Sequence, residues 1–221
     1  MSYKIYLSPS NQNGNMYAFG GTNEMEQCNK IAEAAESALV RCGFSVKKAP
    51  KGQNMNVSID QSNNWGADLH IPIHTNAGGG NGTVVFVYKK ATENLDKAIP
   101  IYNSVQAITP GTTDYGVRAY PELAELSKTT AIAVYVEVDF HDNKDIAKWI
   151  VQNTEQIGEA ICKGVCKAYN VAYKEPKSDK VIYRIQVGAF TDKRNATDYL
   201  EKVKKAGFKN AFIVTATPQK G

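Results

Sequence analysis

The sequence predicts an α/β fold: a mixed, mostly parallel sheet flanked by helices on both faces, plus a small βαβ C-terminal unit. Three observations carry this expectation. Strand-like apolar runs alternate with segments of helical period along most of the chain. Two of those runs, "LHIPIHT" and "AIAVYVEV", are almost continuously apolar, the pattern of strands covered on both sides. A charged stretch with no apolar period, "YKEPKSDK", then separates a large block from a small one. The organisation expected is a domain over residues 1–172, a linker over 173–180 and a C-terminal unit over 181–221.

Each element has a local reason. "KIYLS" (4–8) is a short apolar run stopped by Pro9, and it opens into a loop rich in Asn and Gly. "EMEQCNKIAEAAESALVRCG" (24–43) places Cys28, Ile31, Ala32, Ala35, Leu39 and Cys42 at helical spacing and ends on Gly43. "FSVKKA" reads as the second strand, "MNVSIDQSNNWGA" as a short helix, "LHIPIHT" as the third strand and "GTVVFVYK" (82–89) as the fourth. A helix over 92–108, a fifth strand over 131–138 and one long helix from about Asn143 to Tyr169 close the large block. In the small block, "VIYRIQVGAF", "DKRNATDYLEKVKKAG" and "FKNAFIV" read as strand, helix and strand. A unit of about 40 residues lies near the lower limit for independent folding. It therefore needs a partner, and a second copy in a homodimer is the expected one.

Composition narrows the class. From residue 172 onward there are eleven Lys and Arg against five Asp and Glu, so the net charge of +4 is carried by the tail. That asymmetry fits a solvated basic surface or a patch for a polyanion. The four cysteines (Cys28, Cys42, Cys162, Cys166) fall in helical patterns without C-x-x-C spacing, as small buried apolar residues do. The start, "MSYKIYLSPSNQ", lacks a basic segment followed by an apolar one, and no apolar run approaches the roughly 18 residues of a membrane span. A protein made in the cytoplasm, without a signal peptide and without membrane insertion, is expected.

In sheets of this kind, ligands bind beyond the carboxyl ends of the strands. Ser8-Pro9-Ser10-Asn11-Gln12, His74 and Glu137 all fall there. Glu137 interrupts "AIAVYVEVDF", where an unpaired charge costs several kcal/mol. It is either neutralised by a Lys or Arg, exposed on an edge strand, or a general acid or base beside a metal. In "NEME", Asn23 and Glu26 match a capping box, whereas Glu24 lies on the apolar side of its helix, four residues before Cys28. Glu24 either offsets the helix dipole or binds a metal. His70 and His74 share a strand face but are separated by about 13 Å at 3.3 Å per residue, so they cannot hold one ion together. His74, at the strand end, is the candidate ligand, and His70 is expected as a hydrogen-bonded core imidazole.

At these residues the chain resembles the zinc-dependent N-acetylmuramoyl-L-alanine amidases of the amidase 3 type, which cleave peptidoglycan. "GTNEMEQCNKIAEAAESALVRCGFSV" is similar to the family's Glu-led first helix and second strand, "ADLHIPIHTNA" to its D-x-x-I-S-I-H-x-N-A, and "VYVEVDFHDN" to its V-E-x-G-F. The likeness runs over roughly residues 3 to 170. It implies that Glu24 and His74 are zinc ligands and Glu137 the catalytic glutamate. The family's third ligand is a histidine in D-P-G-H-G-G, where this chain has "SPSNQNGN". Aligning the prolines puts Asn11 at that position, while Gln12 has the longer reach. Gln12 is the expected substitute, with Asn11 or water as alternatives. Asn11, Asn76 and His141 are candidate substrate contacts.

The tail, "YRIQVGAFTDKRNATDYLEKVKKAGFKNAFIV", resembles half of a SPOR-type wall-binding domain, which pairs two strand-helix-strand halves. The resemblance implies cleavage of the amide between N-acetylmuramic acid and L-alanine, with zinc as cofactor and peptidoglycan, not nucleic acid, as partner. A lytic phage or prophage endolysin acting at the wall after release fits the absence of an export pattern. The rival expectations are a non-catalytic wall-binding protein and a metal-dependent peptidase acting on the stem or cross-bridge peptide.

Overall fold

The computed structural model describes residues 2–176 and 185–215. They belong to two units, Met1–Pro176 and Lys177–Gly221. In the first unit one seven-stranded sheet is built from β1 (Lys4–Pro9), β2 (Ser45–Lys48), β3 (Leu69–Asn76), β4 (Val84–Val87), β5 (Val117–Ala119), β6 (Ile132–Ala133) and β7 (Tyr135–Phe140). The strand order is β2-β1-β3-β7-β4-β5, with β6 beside β3. Only the β4–β7 pair is antiparallel among these. The mixed, mostly parallel α/β architecture is therefore present.

The helices of this unit are α1 (Glu24–Cys42), α2 (Met55–Trp65), α3 (Thr92–Gln106), α4 (Ala124–Ser127), α5 (Lys144–Gln152) and α6 (Thr154–Ala168). Ile5 and Leu7 of β1, Ile71 and Ile73 of β3, and Val136 and Val138 of β7 share one apolar core with Ile31, Ala35 and Leu39 of α1, Ile101 of α3 and Ile161 of α6. Strand alternation sends the intervening residues to the other face. There Tyr6 hydrogen-bonds Gln61 of α2 at 2.8 Å, and Ser8 hydrogen-bonds Glu125 of α4 at 2.5 Å. β3 is buried along nearly its whole length, but its two faces differ in chemistry: one apolar, the other carrying His70 and His74.

The helix expected over 143–169 is two helices. Asn153 interrupts it: its side-chain amide donates to the Trp149 carbonyl at 2.7 Å, and its backbone leaves the helical region at φ −128° and ψ 24°. A short polar side chain that bonds the carbonyl four residues back competes with the helix ladder. The expected fifth strand is likewise divided into β6 and β7, and the short elements β5 and α4 were not visible as patterns in the sequence. The start of the expected linker packs on the first unit. Tyr173 Oη donates to Glu159 at 2.5 Å, and the Lys174 N–H points to Cys42 Sγ at 3.4 Å.

All four cysteines are free and buried. Cys162 Sγ lies 3.7 Å from Cys42 Sγ and 3.9 Å from Cys166 Sγ, where α1 meets α6. Burial pushes the Cys166 thiol up to about 11 and that of Cys162 higher still, so both stay protonated and behave as core residues.

In the second unit α7 (Lys193–Lys205) forms, capped by Asp192, whose carboxylate accepts from the Arg194 N–H at 2.7 Å. The strands expected on either side do not form among the described residues: 185–190 and 211–215 are extended or irregular. Residues 181–184 of the first expected strand lie outside the described residues.

Candidate active site

The carboxyl ends of β1, β3 and β7 and the N-terminus of α1 converge. Asn23 caps α1 by accepting the Glu26 N–H at 3.0 Å. The reciprocal half of the expected capping box is absent, because the Glu26 carboxylate instead pairs with Lys51 at 2.5 Å. Capping fixes the first turn and turns Glu24 inward, where it is 1% exposed. Glu24 Oε1 lies 2.8 Å from His74 Nδ1, and its Oε2 accepts from Asn15 Nδ2 at 2.6 Å. Asn15 also donates to Gln12 Oε1 at 2.8 Å, and the Gln12 amide nitrogen lies 3.5 Å from His74 Nδ1. Glu24, Gln12 and His74, far apart in sequence, are neighbours here.

The electrostatics follow from that packing. Burial opposes a charged imidazole at His74, but the hydrogen bond with Glu24 and the charges of Glu137, Glu24 and Glu125 outweigh it and raise its pKa. Burial would likewise raise Glu24, yet its contacts with His74, Asn15 and Ser10 lower it. Glu137 differs in sign. Burial raises its carboxyl to about 7, with the His74 charge working against the rise and the Glu24 charge adding to it. Its Oε2 is shielded from solvent and has no hydrogen-bond partner among the described residues. No Lys or Arg neutralises it among the described ion pairs, and β7 is an interior strand rather than an edge.

A third carboxylate lies beside the two histidines, and the sequence did not point to it. Glu125, 4% exposed, sits on the four-residue helix α4. Its Oε1 accepts from Ser8 Oγ at 2.5 Å and lies 3.2 Å from His70 Nε2, while its Oε2 is 3.9 Å from His74 Nε2. His70 is thus a hydrogen-bonded core imidazole, also stacked on Tyr6 at 5.4 Å. A helix one turn long is too short for its buried face to be read from periodicity.

The other expected site residues have partners of their own. Asn11 is exposed and donates to the Gln53 carbonyl at 3.0 Å, leaving Gln12 as the amide beside His74. Asn76 is half-buried at the end of β3, where its side chain accepts from the Ala77 N–H at 2.8 Å. His141, expected as a rim residue, is buried. Its Nδ1 lies 2.9 Å from Thr75 Oγ1, its ring stacks on Tyr17 at 5.0 Å, and its carbonyl accepts from the Ala18 N–H at 3.0 Å. Those contacts make it a brace under the 15–18 loop. The glycine loop is pinned, since Asp142 Oδ2 accepts from the Gly78 and Gly79 N–H groups at 2.7 and 2.8 Å.

The donor set fits a zinc ion. An imidazole nitrogen, a carboxylate oxygen and a side-chain amide already face one another around His74 Nδ1, and both nitrogen and carboxylate donors suit zinc. The amide is the weaker donor of the three. A half-turn of the Gln12 side chain would bring its oxygen to the position its nitrogen holds.

The model of the N-acetylmuramoyl-L-alanine amidase family matches residues 9–167, and that of the SPOR domain matches residues 167–218. The chain is 32% identical over 175 residues to an uncharacterized 38.4 kDa protein of Clostridium perfringens, a match covering 73% of this chain and 49% of that protein. The chain thus spans about half the length of that relative. It is 26% identical over 219 residues to the N-acetylmuramoyl-L-alanine amidase CwlM of Bacillus licheniformis, covering 96% of this chain and 84% of that one. Among solved structures, the catalytic domain of the CD27L endolysin targeting Clostridia Difficile matches with a TM-score of 0.61 and 24% identity, over 74% of this chain and 96% of that domain. With its sheet order and helices in place and the family match spanning most of its length, the chain belongs to the N-acetylmuramoyl-L-alanine amidase family.

Proposed function

We propose that the first unit hydrolyses the amide between the lactyl group of N-acetylmuramic acid and L-alanine in peptidoglycan, with zinc held by Gln12, Glu24 and His74. The observation that carries this reading is the Glu137 carboxyl. It is buried to a pKa of about 7, has a free Oε2, and stands beside His74 at the open end of the sheet. Zinc, when bound, supplies Lewis acidity that polarises water and the scissile carbonyl.

The chain's own residues do the rest. Glu24 and Asn15 hold the donor set in register, and Glu137 takes the proton of the attacking water as its oxygen adds to the carbonyl carbon. The same proton passes from Glu137 to the alanine nitrogen as the C–N bond breaks. A carboxyl poised near neutral pH serves both transfers.

The basic second unit, with its SPOR match, is proposed to hold wall glycan, and two chains are proposed to pair through it. We further assign the protein a lytic endolysin role, made in the cytoplasm and acting at the wall after release, a reading supported by its likeness to the CD27L catalytic domain. Incubation of the purified protein with cell walls, with and without chelator, tests the reaction. New L-alanine amino termini without new reducing sugars, lost on chelation, are expected. New termini at other residues would mean a peptidase, and none would mean a wall-binding protein. Lysis of expressing bacteria only after their membrane is permeabilised is the expected outcome for the endolysin role.

A further inference from the structure

The Glu125 carboxylate is built into the fold with unusual completeness. Its two donors come from adjacent strands: Ser8 from β1 and His70 from β3, which pair in parallel register. Both contact Oε1, and the Thr129 hydroxyl fixes the helix behind by donating to the Glu125 carbonyl at 2.7 Å. A buried carboxylate with one oxygen so held costs less than a bare one, yet an apolar residue there would cost less still. What the charge adds lies on its other side, where Oε2 faces His74 Nε2 at 3.9 Å.

The His74 ring is confined on three sides. Tyr135 stacks on its face at 4.5 Å, Glu24 and Gln12 flank Nδ1, and Glu125 faces Nε2. Without a metal Nδ1 faces the Glu24 carboxylate at 2.8 Å; once Nδ1 presents its lone pair to a metal, the ring's proton must sit on Nε2, and a carboxylate on that side favours this tautomer. Carboxylates behind ligating imidazoles set ring orientation and strengthen the ligand.

We propose that Glu125, clamped by Ser8 and His70, is a positioning residue that fixes the tautomer and orientation of His74 for metal binding. The proposal rests on the reading of His74 as a metal ligand. The test uses the full chain and zinc competed against a chromophoric chelator, with long-range ¹H–¹⁵N spectra of the histidine rings in the zinc-loaded protein. Glu125→Gln keeps shape and removes charge. It is expected to weaken zinc binding by about 10- to 100-fold and, in the zinc-loaded protein, to shift the His74 Nε2–H resonance as the carboxylate facing it is lost. Ser8→Ala, which frees one anchor and keeps the charge, is expected to weaken zinc binding by a smaller factor and covers the case in which Glu125→Gln does not fold.

His74→Ala separates the two levels of the argument. If it binds zinc as tightly as the parent, the ligand reading fails and the proposal falls with it. If it abolishes binding while folded Glu125→Gln and Ser8→Ala both keep parental affinity and the parental His74 Nε2–H resonance, the ligand reading stands and the proposal alone is overturned.

Discussion

His74 and Glu137 stand opposite each other on the neighbouring parallel strands β3 and β7. The pairing fixes both side chains on one sheet face, so the imidazole and the free carboxyl are brought together by backbone hydrogen bonds rather than by flexible loops. A proton acceptor placed in this way is rigid, and its removal is informative. Glu137→Gln is expected to keep the fold and lower kcat on cell walls by about 10²- to 10⁴-fold, the range for loss of a general base. Full activity in this variant would exclude the role.

The same residue predicts a pH dependence of stability. Folded Glu137 holds its proton up to about 7, whereas the ordinary carboxyl value is 4.5. Between those values the folded state carries more protons than the unfolded one, so raising the pH destabilises the fold. The contribution is at most on the order of 3 kcal/mol, at about 1.4 kcal/mol per pKa unit. In metal-free protein, Glu137→Gln is therefore expected to melt close to the parent near pH 4.5 and above it at pH 8. A difference in melting temperature that stays flat across this range would contradict the burial argument.

How much of this was legible in the sequence varied with the scale of the signal. α1 was readable because nineteen residues repeat an apolar period between Asn23 and Gly43, and Glu24 fell on its inward side. His74 and Glu137 were readable because polar residues interrupt apolar strands. Glu125 was not, because α4 has one turn and its burial comes from Ser8 and His70, distant in sequence. His141 shows the converse: its place after β7 made it a candidate contact, whereas its burial under the loop over 15–18 comes from residues distant in sequence.

Gln12 and Asn11 are separable by experiment. The Gln12 amide lies beside His74, whereas that of Asn11 is engaged by the Gln53 carbonyl. Gln12→Ala is expected to weaken zinc binding by at least about 10-fold, and Asn11→Ala to leave it within about twofold. Gln12→His, which supplies the better donor, is expected to tighten it. Chelator competition measures all three.

The loop beside the site depends on a glycine. Gly82 has φ +110°, a Cβ there would run into the Thr113 carbonyl oxygen, and its N–H donates to Asp139 at 2.7 Å. Gly82→Ala adds backbone strain and a clash with main chain, which cannot move aside as a side chain would. A loss of about 2 kcal/mol is expected, read as a fall of roughly 4–8 °C in melting temperature.

In the second unit Ile185 is 90% exposed and Phe212 is 71% exposed. Val187, two residues from Ile185, is also exposed, so the segment carries the two-residue period of a strand with one apolar face. Such a face, beside backbone that joins no ladder among the described residues, is suited to pairing with the same segment of a second chain. Full-length protein is expected to sediment as a dimer, and Phe212→Asp or Ile185→Asp to shift it to monomer without changing hydrolysis of a soluble muropeptide. On insoluble walls the same variants are expected to bind less tightly, because two linked units of the proposed glycan-binding kind would hold a polymer more strongly than one. A parent protein that sediments as a monomer across the micromolar range would overturn the pairing.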